Sequence, residues 1–179
     1  MSGDEIIKFW FHDIDRSLWF KKDADFDALL RNRFLNIHRQ ASQGELYEWR
    51  KTAEGALAEI IVLDQFSRNM FRDHANAFAG DGIALVLSQE AIRNHQDQQL
   101  VAVQKAFLYM PFMHSESATI HKVAVDLFNQ PGLENNYKFE LSHKAIIDRF
   151  GRYPHRNQIL QRESTQAELE FLSQPGSSF

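Results

Sequence analysis

Cysteine is absent from this chain of 179 residues. Without thiols there is no disulfide bond, zinc ribbon, cysteine-ligated iron–sulfur cluster or thiol nucleophile. Long apolar runs are absent as well, because the longest aliphatic run is residues 60–63, whereas a membrane-spanning helix needs ~20 apolar residues. The acidic first residues lack the basic and apolar regions of a secretory signal. These absences favour a soluble cytoplasmic protein without a membrane partner.

Clustered charge of one sign is also missing. The formal net charge is −4, and no block of like charges forms a basic arm or an acidic tail. Nucleic acid is therefore not an expected partner, because its binding depends on clustered Lys and Arg. Apolar bulk is abundant, with 44% hydrophobic residues and 15 phenylalanines. At this length, that composition predicts a single globular domain over residues 1–179.

The alternation of apolar and polar residues that is typical of β-strands is nearly absent, and a helical period dominates. Capping-box spacing at Ser2 and Thr165 marks two helix starts, and Gly151 is placed to end a helix. Pro111 should kink or end the fifth helix. Short connections favour antiparallel neighbours. We predict an all-α chain of about eight helices: one after Ser2, helices including 26–37, 53–71, 83–92, 101–112, 120–128 and 136–150, and one after Thr165.

Several ionisable residues occupy positions where the apolar stripe of a helix predicts a hydrophobic side chain. At ~100° per residue, positions 57, 61, 64 and 68 share one face, so Asp64 and Arg68 should point inward. They are four residues apart, in the favourable order for a helical ion pair. Arg72 lies one turn further, near the helix end, where a cation is favoured. The same arithmetic places His114 inward if its helix continues through Pro111, and places His143 on a stripe with Phe139, Ile146 and Phe150.

Inward ionisable groups have two explanations. A single Asp–Arg pair or a single buried histidine is often a packing device. A buried pair is nevertheless costly to break and is often replaceable by packed hydrophobic residues without loss of stability. Several such groups on one interior therefore suggest either a specific packing arrangement or a functional pocket.

The segment 152–157 carries two guanidiniums, an imidazole and an amide, on Arg152, Arg156, His155 and Asn157. Such groups are able to bind a carboxylate or a phosphate through forked hydrogen bonds. The alternative is a solvated loop whose charges pair with nearby carboxylates or helix carbonyls.

Motifs for well-known chemistries are missing. There is no Walker motif, no G-x-G-x-x-G, no H-E-x-x-H and no G-x-S-x-G. We therefore expect no cofactor and no metal site. An acid–base pair remains possible from His114 with Glu116 or Asp64, although His114 and Glu116 share no helical face and would converge only if the chain leaves the helix after Pro111.

Five segments taken in order resemble one protein family: LDQFSRNMFRD, FLYMPFMHSE, RFGRYPHRN, ILQRESTQAELEFL and the ending PGSSF. The family is bacterial and is known only as a domain of unknown function (number 924), and the resemblance covers nearly the whole chain. It implies a fold similar to tetratricopeptide-like arrays, with antiparallel helix pairs stacked as an α-α superhelix. It implies no activity.

The resemblance transfers motif positions and also shows departures. Ser67 stands where the family usually has proline, Gln161 where it has glycine, and Gln166 where it has proline. None of these departures removes a charged member of the motif. The matching positions are Asp64, Gln65, Arg68, Asn69, Arg72, Pro111, His114, Ser115, Glu116, Arg152, His155, Arg156, Asn157, Arg162 and Ser164.

Three hypotheses follow from the sequence. The favoured one is a module that binds a small anionic ligand or a peptide carboxylate. The second is a hydrolase-type enzyme that uses His114 with Glu116 or Asp64, and the third is a structural or protein-interaction module with a buried polar network. The candidate ligand-binding residues are Asp64, Arg68, Arg72, His114, His143, Arg152, His155, Arg156 and Asn157, and the expected aromatic walls are Trp10, Phe66, Phe71, Tyr109 and Phe112.

Overall fold

The computed structural model describes residues 1–177, and within that range the chain contains helices and turns but no β-strand. Ser178 and Phe179, which complete the PGSSF segment, lie outside the described residues. The α-helices are α1 Gly3–Lys8, α2 Ala24–Ser42, α3 Ala53–Ile61, α4 Ser67–Met70, α5 Asp81–Arg93, α6 Ala102–Met113, α7 Ala118–Phe128, α8 Glu134–Phe150 and α9 Gln166–Leu172.

The helix α3 continues through a π-helical turn, Val62–Phe66, directly into α4. With these three segments counted as one rod, the described residues form eight α-helices, which confirms the predicted all-α fold and helix number. A second π-helical turn, Phe9–Asp13, extends α1. The π-helix is a rare conformation that appears mostly as single turns, frequently at functional sites.

Local sequence signals determine where the helices begin and end. Capping boxes are present at both predicted positions, Ser2 with Glu5 and Thr165 with Glu168. Gly151 follows α8 with a φ of +69°, a backbone conformation that other residues rarely adopt. Pro111 lies within the last turn of α6, which ends two residues later at Met113. The helix therefore continues through Pro111, as the inward position of His114 requires.

From α5 to α8, each helix packs against the next one in the chain, whereas α1 packs against α3 and α2 against α4. An aromatic cluster fills the interior near the N-terminus, where the ring of Trp10 lies 5.5 Å from that of Phe66 and 5.7 Å from that of Phe107. No helix within residues 1–177 is long and apolar enough to cross a bilayer.

One predicted stripe is wrong. Phe139 is 61% exposed, whereas Glu140 is fully buried and His143 and Ile147 are nearly so. The buried face of α8 is therefore centred one residue away from the face that apolar periodicity predicts. The helix turns this face towards α7, which presents a buried imidazole to Glu140.

Candidate functional site

Asp64 lies at the centre of a buried polar network. Its side chain is buried within the π-helical turn, where Oδ1 is 2.6 Å from His114 Nδ1 and 2.9 Å from Arg68 Nη1. Oδ2 accepts a hydrogen bond of 2.6 Å from the amide of Gln65. Burial opposes ionisation, but the charge of Arg68 and the hydrogen bonds from His114 and Gln65 outweigh it and hold the pKa of Asp64 well below its usual range. Asp64 is therefore a carboxylate.

His114 follows α6 directly and receives its orientation from Asp64. Because an ionised carboxylate only accepts hydrogen bonds, the imidazole donates its Nδ1–H to Asp64. Burial and the positive charge of Arg68 lower the pKa of His114, although Asp64 acts in the opposite direction. The ring is therefore neutral at neutral pH. Nε2 forms no hydrogen bond with residues 1–177, and His114 is among the residues that line a cleft.

Arg68 joins Asp64 to the start of α5. The predicted helical pair with Asp64 is present, and two further hydrogen bonds of 3.0 and 3.1 Å run from the guanidinium to the carboxylate of Asp81. Gly80 permits this approach, since a Cβ there would lie 2.8 Å from the carbonyl oxygen of Leu63. Sequence reasoning missed Asp81 because the Gly-Asp-Gly run resembles a simple break between helices.

Arg156 forms the second cationic wall of the site and is only 6% exposed. Its guanidinium lies 4.6 Å from the ring centres of both Phe78 and Tyr153. Nη1 donates to Asp81 at 3.2 Å and Nη2 donates to the carbonyl oxygen of His114 at 3.1 Å. These two bonds use two of the five N–H groups of an arginine, so Arg156 retains donors for a further acceptor.

A cleft of about 340 Å³ is lined by Asp81, His114 and Arg156 among others. Its volume is within the range of small-molecule sites. The charges on its walls and directly behind them cancel, because Arg68, Arg156 and Arg162 face Asp64, Asp81 and Glu116. The cleft is therefore neutral, apolar over much of its surface and polar at one end. Its lining residues are Ala75, Phe78, Ala79, Asp81, Gly82, Leu85, Pro111, His114, Ser115, Glu116, Arg156 and Leu160.

Glu116 fixes the segment that closes one side of the cleft. Its carboxylate accepts hydrogen bonds of 2.7 and 2.9 Å from Arg162 and one of 2.8 Å from the backbone N–H of Tyr153. Burial raises the pKa of Glu116, but the hydrogen bonds from these donors have the larger combined effect, so the pKa is lowered overall. No hydrogen bond joins Glu116 to His114 among the described residues, so Asp64 is the carboxylate that serves the imidazole.

A second buried carboxylate–imidazole pair lies behind the cleft wall. His121 Nδ1 is 2.7 Å from Glu140 Oε1, and His121 Nε2 is 2.8 Å from the carbonyl oxygen of Ser115. The hydroxyl of Tyr153 donates to the Met113 carbonyl and lies 3.2 Å from the same imidazole nitrogen. Sequence reasoning missed the pair, although stripe arithmetic applied to 121, 124 and 128, and to 140, 143 and 147, would have indicated it.

Arg156 is the one candidate arginine among the cleft-lining residues; Arg68 lies behind the cleft wall, and Arg72 and Arg152 lie elsewhere. Arg72 donates to Asp27 at 2.8 Å, and Asn69 donates to the same carboxylate. Arg152 forms hydrogen bonds of 2.7 and 2.8 Å with Glu168. Each guanidinium is therefore matched to a carboxylate of its own and connects neighbouring segments of the fold.

The other candidates lie behind the cleft rather than on its surface. His143 Nδ1 donates to the carbonyl oxygen of Phe139 at 2.7 Å. Asn157 bonds to Ser164 and Arg162, and His155 is half-buried beside Tyr153.

The expected aromatic walls are wrong, because Phe78 is the aromatic residue that lines the cleft. Trp10 and Phe66 belong to the interior aromatic cluster, and Tyr109 donates to Asp97 at 2.8 Å. Neither Phe71 nor Phe112 lines the cleft. Within residues 1–177, no group of three His, Asp or Glu side chains is arranged to hold a metal ion.

Comparison with known proteins gives a family and a fold. A family profile described as "Bacterial protein of unknown function (DUF924)" matches residues 6–176. The chain is similar to the solved structure of a protein of unknown function from Agrobacterium tumefaciens, with a TM-score of 0.90, 40% sequence identity and 96% of each chain covered. No curated protein matches the chain. The chemistry therefore has to be inferred from the geometry of the site.

Proposed function

This chain belongs to the bacterial DUF924 family, and we propose that it is a hydrolase-type enzyme that acts on a small carbonyl compound in the cleft. The observation that carries the proposal is the 2.6 Å contact between Asp64 and His114, a residue that lines the cleft and whose Nε2 forms no hydrogen bond with residues 1–177. A histidine that is neutral at neutral pH is able to accept a proton, and a carboxylate at its other nitrogen stabilises the imidazolium that forms.

The proposed step uses His114 as a general base. A water molecule beside Nε2 gives its proton to the imidazole while its oxygen adds to the carbonyl carbon of the substrate. Negative charge then develops on the former carbonyl oxygen, where unused N–H groups of Arg156 donate hydrogen bonds to it. The imidazolium returns the proton to the leaving group as the carbon–heteroatom bond breaks. General base catalysis of this kind contributes ~10²–10⁴-fold to a rate.

A second candidate function is the binding of a small anionic ligand or a peptide carboxylate without a reaction. It is favoured by Arg156, whose buried guanidinium lines the cleft and leaves N–H donors unused. The neutral sum of charges around the cleft favours a ligand with one negative group over a highly charged one. In both functions the ligand places an oxygen at Arg156 and its apolar part against Phe78 and Leu160.

Several other predictions from the sequence are separate from this proposal. The tetratricopeptide-like stacking of the helix pairs, the cytoplasmic location, the single domain and the absence of nucleic-acid and membrane partners all stay predictions. None of them is needed for the chemistry at His114.

Hydrolysis of the reporter ester p-nitrophenyl acetate tests the proposed function. We expect the wild-type protein to hydrolyse the ester ~100-fold or more faster than His114→Gln, since the substitution removes the base. The control is His12→Gln, which removes an exposed histidine outside the cleft and should leave the rate unchanged. Equal rates for wild type and His114→Gln would contradict the proposal.

A further inference from the structure

The carboxylate–imidazole pair behind the cleft wall is more deeply buried than the pair at the cleft. Both His121 and Glu140 are 0% exposed. The pair bridges α7 and α8, and it touches the cleft wall through the carbonyl oxygen of Ser115. Ser115 lies between His114 and Glu116, so the pair adjoins both functional elements of the wall.

The contacts of His121 determine where its protons lie. A carbonyl oxygen only accepts hydrogen bonds, so the nitrogen 2.8 Å from Ser115, Nε2, carries a hydrogen. The other nitrogen, Nδ1, is 2.7 Å from Glu140 Oε1, a hydrogen-bond distance that also requires a proton between the two atoms. Loss of that proton would place a nitrogen lone pair against a carboxylate oxygen in a site without solvent.

We infer that His121 and Glu140 retain one shared proton between Nδ1 and Oε1 in the folded protein, and that this proton rests on Glu140. The pair thereby positions the Ser115 carbonyl and with it the cleft wall. His121 and Glu140 are thus positioning residues. The inference concerns the geometry of the wall, and it holds whether or not His114 accepts a proton from a ligand.

The position of the proton follows from the second oxygen of Glu140. Oε2 is buried, and no donor among residues 1–177 lies within hydrogen-bond distance of it. A buried carboxylate with one unsolvated oxygen is far more costly than a neutral carboxylic acid in the same place. Burial raises the pKa of Glu140, although the hydrogen bond with His121 lowers it in part. The acid form donates Oε1–H to Nδ1 and keeps Nε2–H for Ser115.

The surrounding groups do not supply a compensating charge for an ionised Glu140. Lys144, on the same helix, forms its salt bridge with Asp148 at the surface. Burial lowers the pKa of each neighbouring histidine, so these rings are neutral at neutral pH. The titratable groups that act on the pair are His143 and Lys144 from α8 and Tyr153 from the segment after α8.

A shared proton has a defined effect on folding. Above about pH 6.5 the unfolded chain releases the proton of its histidine while the folded pair keeps it, so folding takes up one proton. The contribution of the pair to stability therefore falls as the pH rises above about 6.5.

Two substitutions of Glu140 separate this inference from a simple packing role. Glu140→Gln donates an amide N–H to His121 Nδ1 and so preserves the Nε2–H that Ser115 requires. Glu140→Met has a similar size but forms no hydrogen bond. We expect Glu140→Gln to keep the unfolding equilibrium constant within about threefold of wild type at neutral pH, and Glu140→Met to shift it by about tenfold or more towards the unfolded state.

The infrared difference spectrum between wild type and Glu140→Gln at neutral pH locates the proton. We expect a carboxylic acid C=O stretch that is present in wild type and absent in the variant. A carboxylate stretch in its place would overturn the assignment of the proton to Glu140. Amide resonances of residues 114–116 that are unchanged in Glu140→Met would overturn the positioning role, and if that variant does not fold, resonances of His121→Gln decide the same point.

Discussion

Replacing Asp64 by asparagine should lower the free energy of unfolding by about 3 kcal/mol, at the low end of the range for breaking a buried ion pair. Asparagine has no charge to offset the buried guanidinium of Arg68, which keeps Asp81 as its remaining partner. Its NH2 group also replaces Oδ2, which in the wild type accepts a hydrogen bond from the amide of Gln65. Urea unfolding at neutral pH measures the loss.

The matched control for this prediction is Asp148→Asn. Asp148 forms a helical ion pair with Lys144 and is about half exposed, and such surface pairs contribute roughly 0.2–0.5 kcal/mol. If Asp64→Asn destabilises the protein no more than Asp148→Asn does, Asp64 is not the centre of a buried network.

Acidification should destabilise the protein at pH values well above the range in which carboxylates titrate. We expect the free energy of unfolding to fall by about 2 kcal/mol between about pH 6 and pH 5. Burial is the main cause: it lowers the pKa of His143 to about 3 and that of His155 to about 4. The unfolded chain binds protons at these histidines near pH 6.5, whereas the folded chain does not. Their stabilising contribution is therefore present above that pH and is lost as the pH falls.

Urea unfolding at a series of pH values measures this effect, and His143→Asn reports the share of one histidine. Asparagine is able to donate to the Phe139 carbonyl as His143 does, but it does not titrate, so we expect the slope of the unfolding free energy to fall by about 1 kcal/mol per pH unit. The shared proton of His121 and Glu140 adds no slope in this window, since folded and unfolded states then bind the same number of protons there. A free energy that stays level or rises on acidification would contradict the prediction.

Local signals in the sequence predicted most of the fold because they act within a few residues. The capping boxes at Ser2 and Thr165 supply hydrogen-bond partners for backbone N–H groups at the start of a helix, and the glycine at position 151 ends one. Neither signal depends on the rest of the chain. The predicted inward pair of Asp64 and Arg68 is also present. Two side chains that are four residues apart on a helix lie close together, whichever part of the fold they face.

The errors have a different physical cause. The periodicity argument assumes that apolar residues mark the buried face of a helix. Helix α8 instead buries Glu140 and exposes Phe139, because a polar partner on α7 forms a hydrogen bond with the carboxyl group of Glu140. Arithmetic with a constant ~100° per residue likewise does not anticipate the π-helical turn that holds Asp64. Whether a polar side chain is buried depends on the partner that it contacts, and that partner lies on another helix.

The partners in the site could not be read from the sequence for the same reason. Asp64 meets His114 across 50 residues, and Arg156 meets Asp81 across 75 residues. A motif shows which residue types are available but not which of them are paired. The sequence thus placed Arg72 and Arg152 in the candidate site, whereas Asp27 and Glu168 bind their guanidiniums elsewhere.

The most direct test of the central claim is a nitrogen-15 NMR titration of the His114 imidazole. We expect a neutral ring at neutral pH, with a proton on Nδ1, none on Nε2, and titration clearly below the ordinary histidine pKa of ~6.5. We also expect Asp64→Asn to shift the Nδ1 resonance, because the negative charge of the acceptor at 2.6 Å is lost. A proton on Nε2 in the neutral ring, or a midpoint at or above ~6.5, would show that Asp64 does not orient His114 as a base.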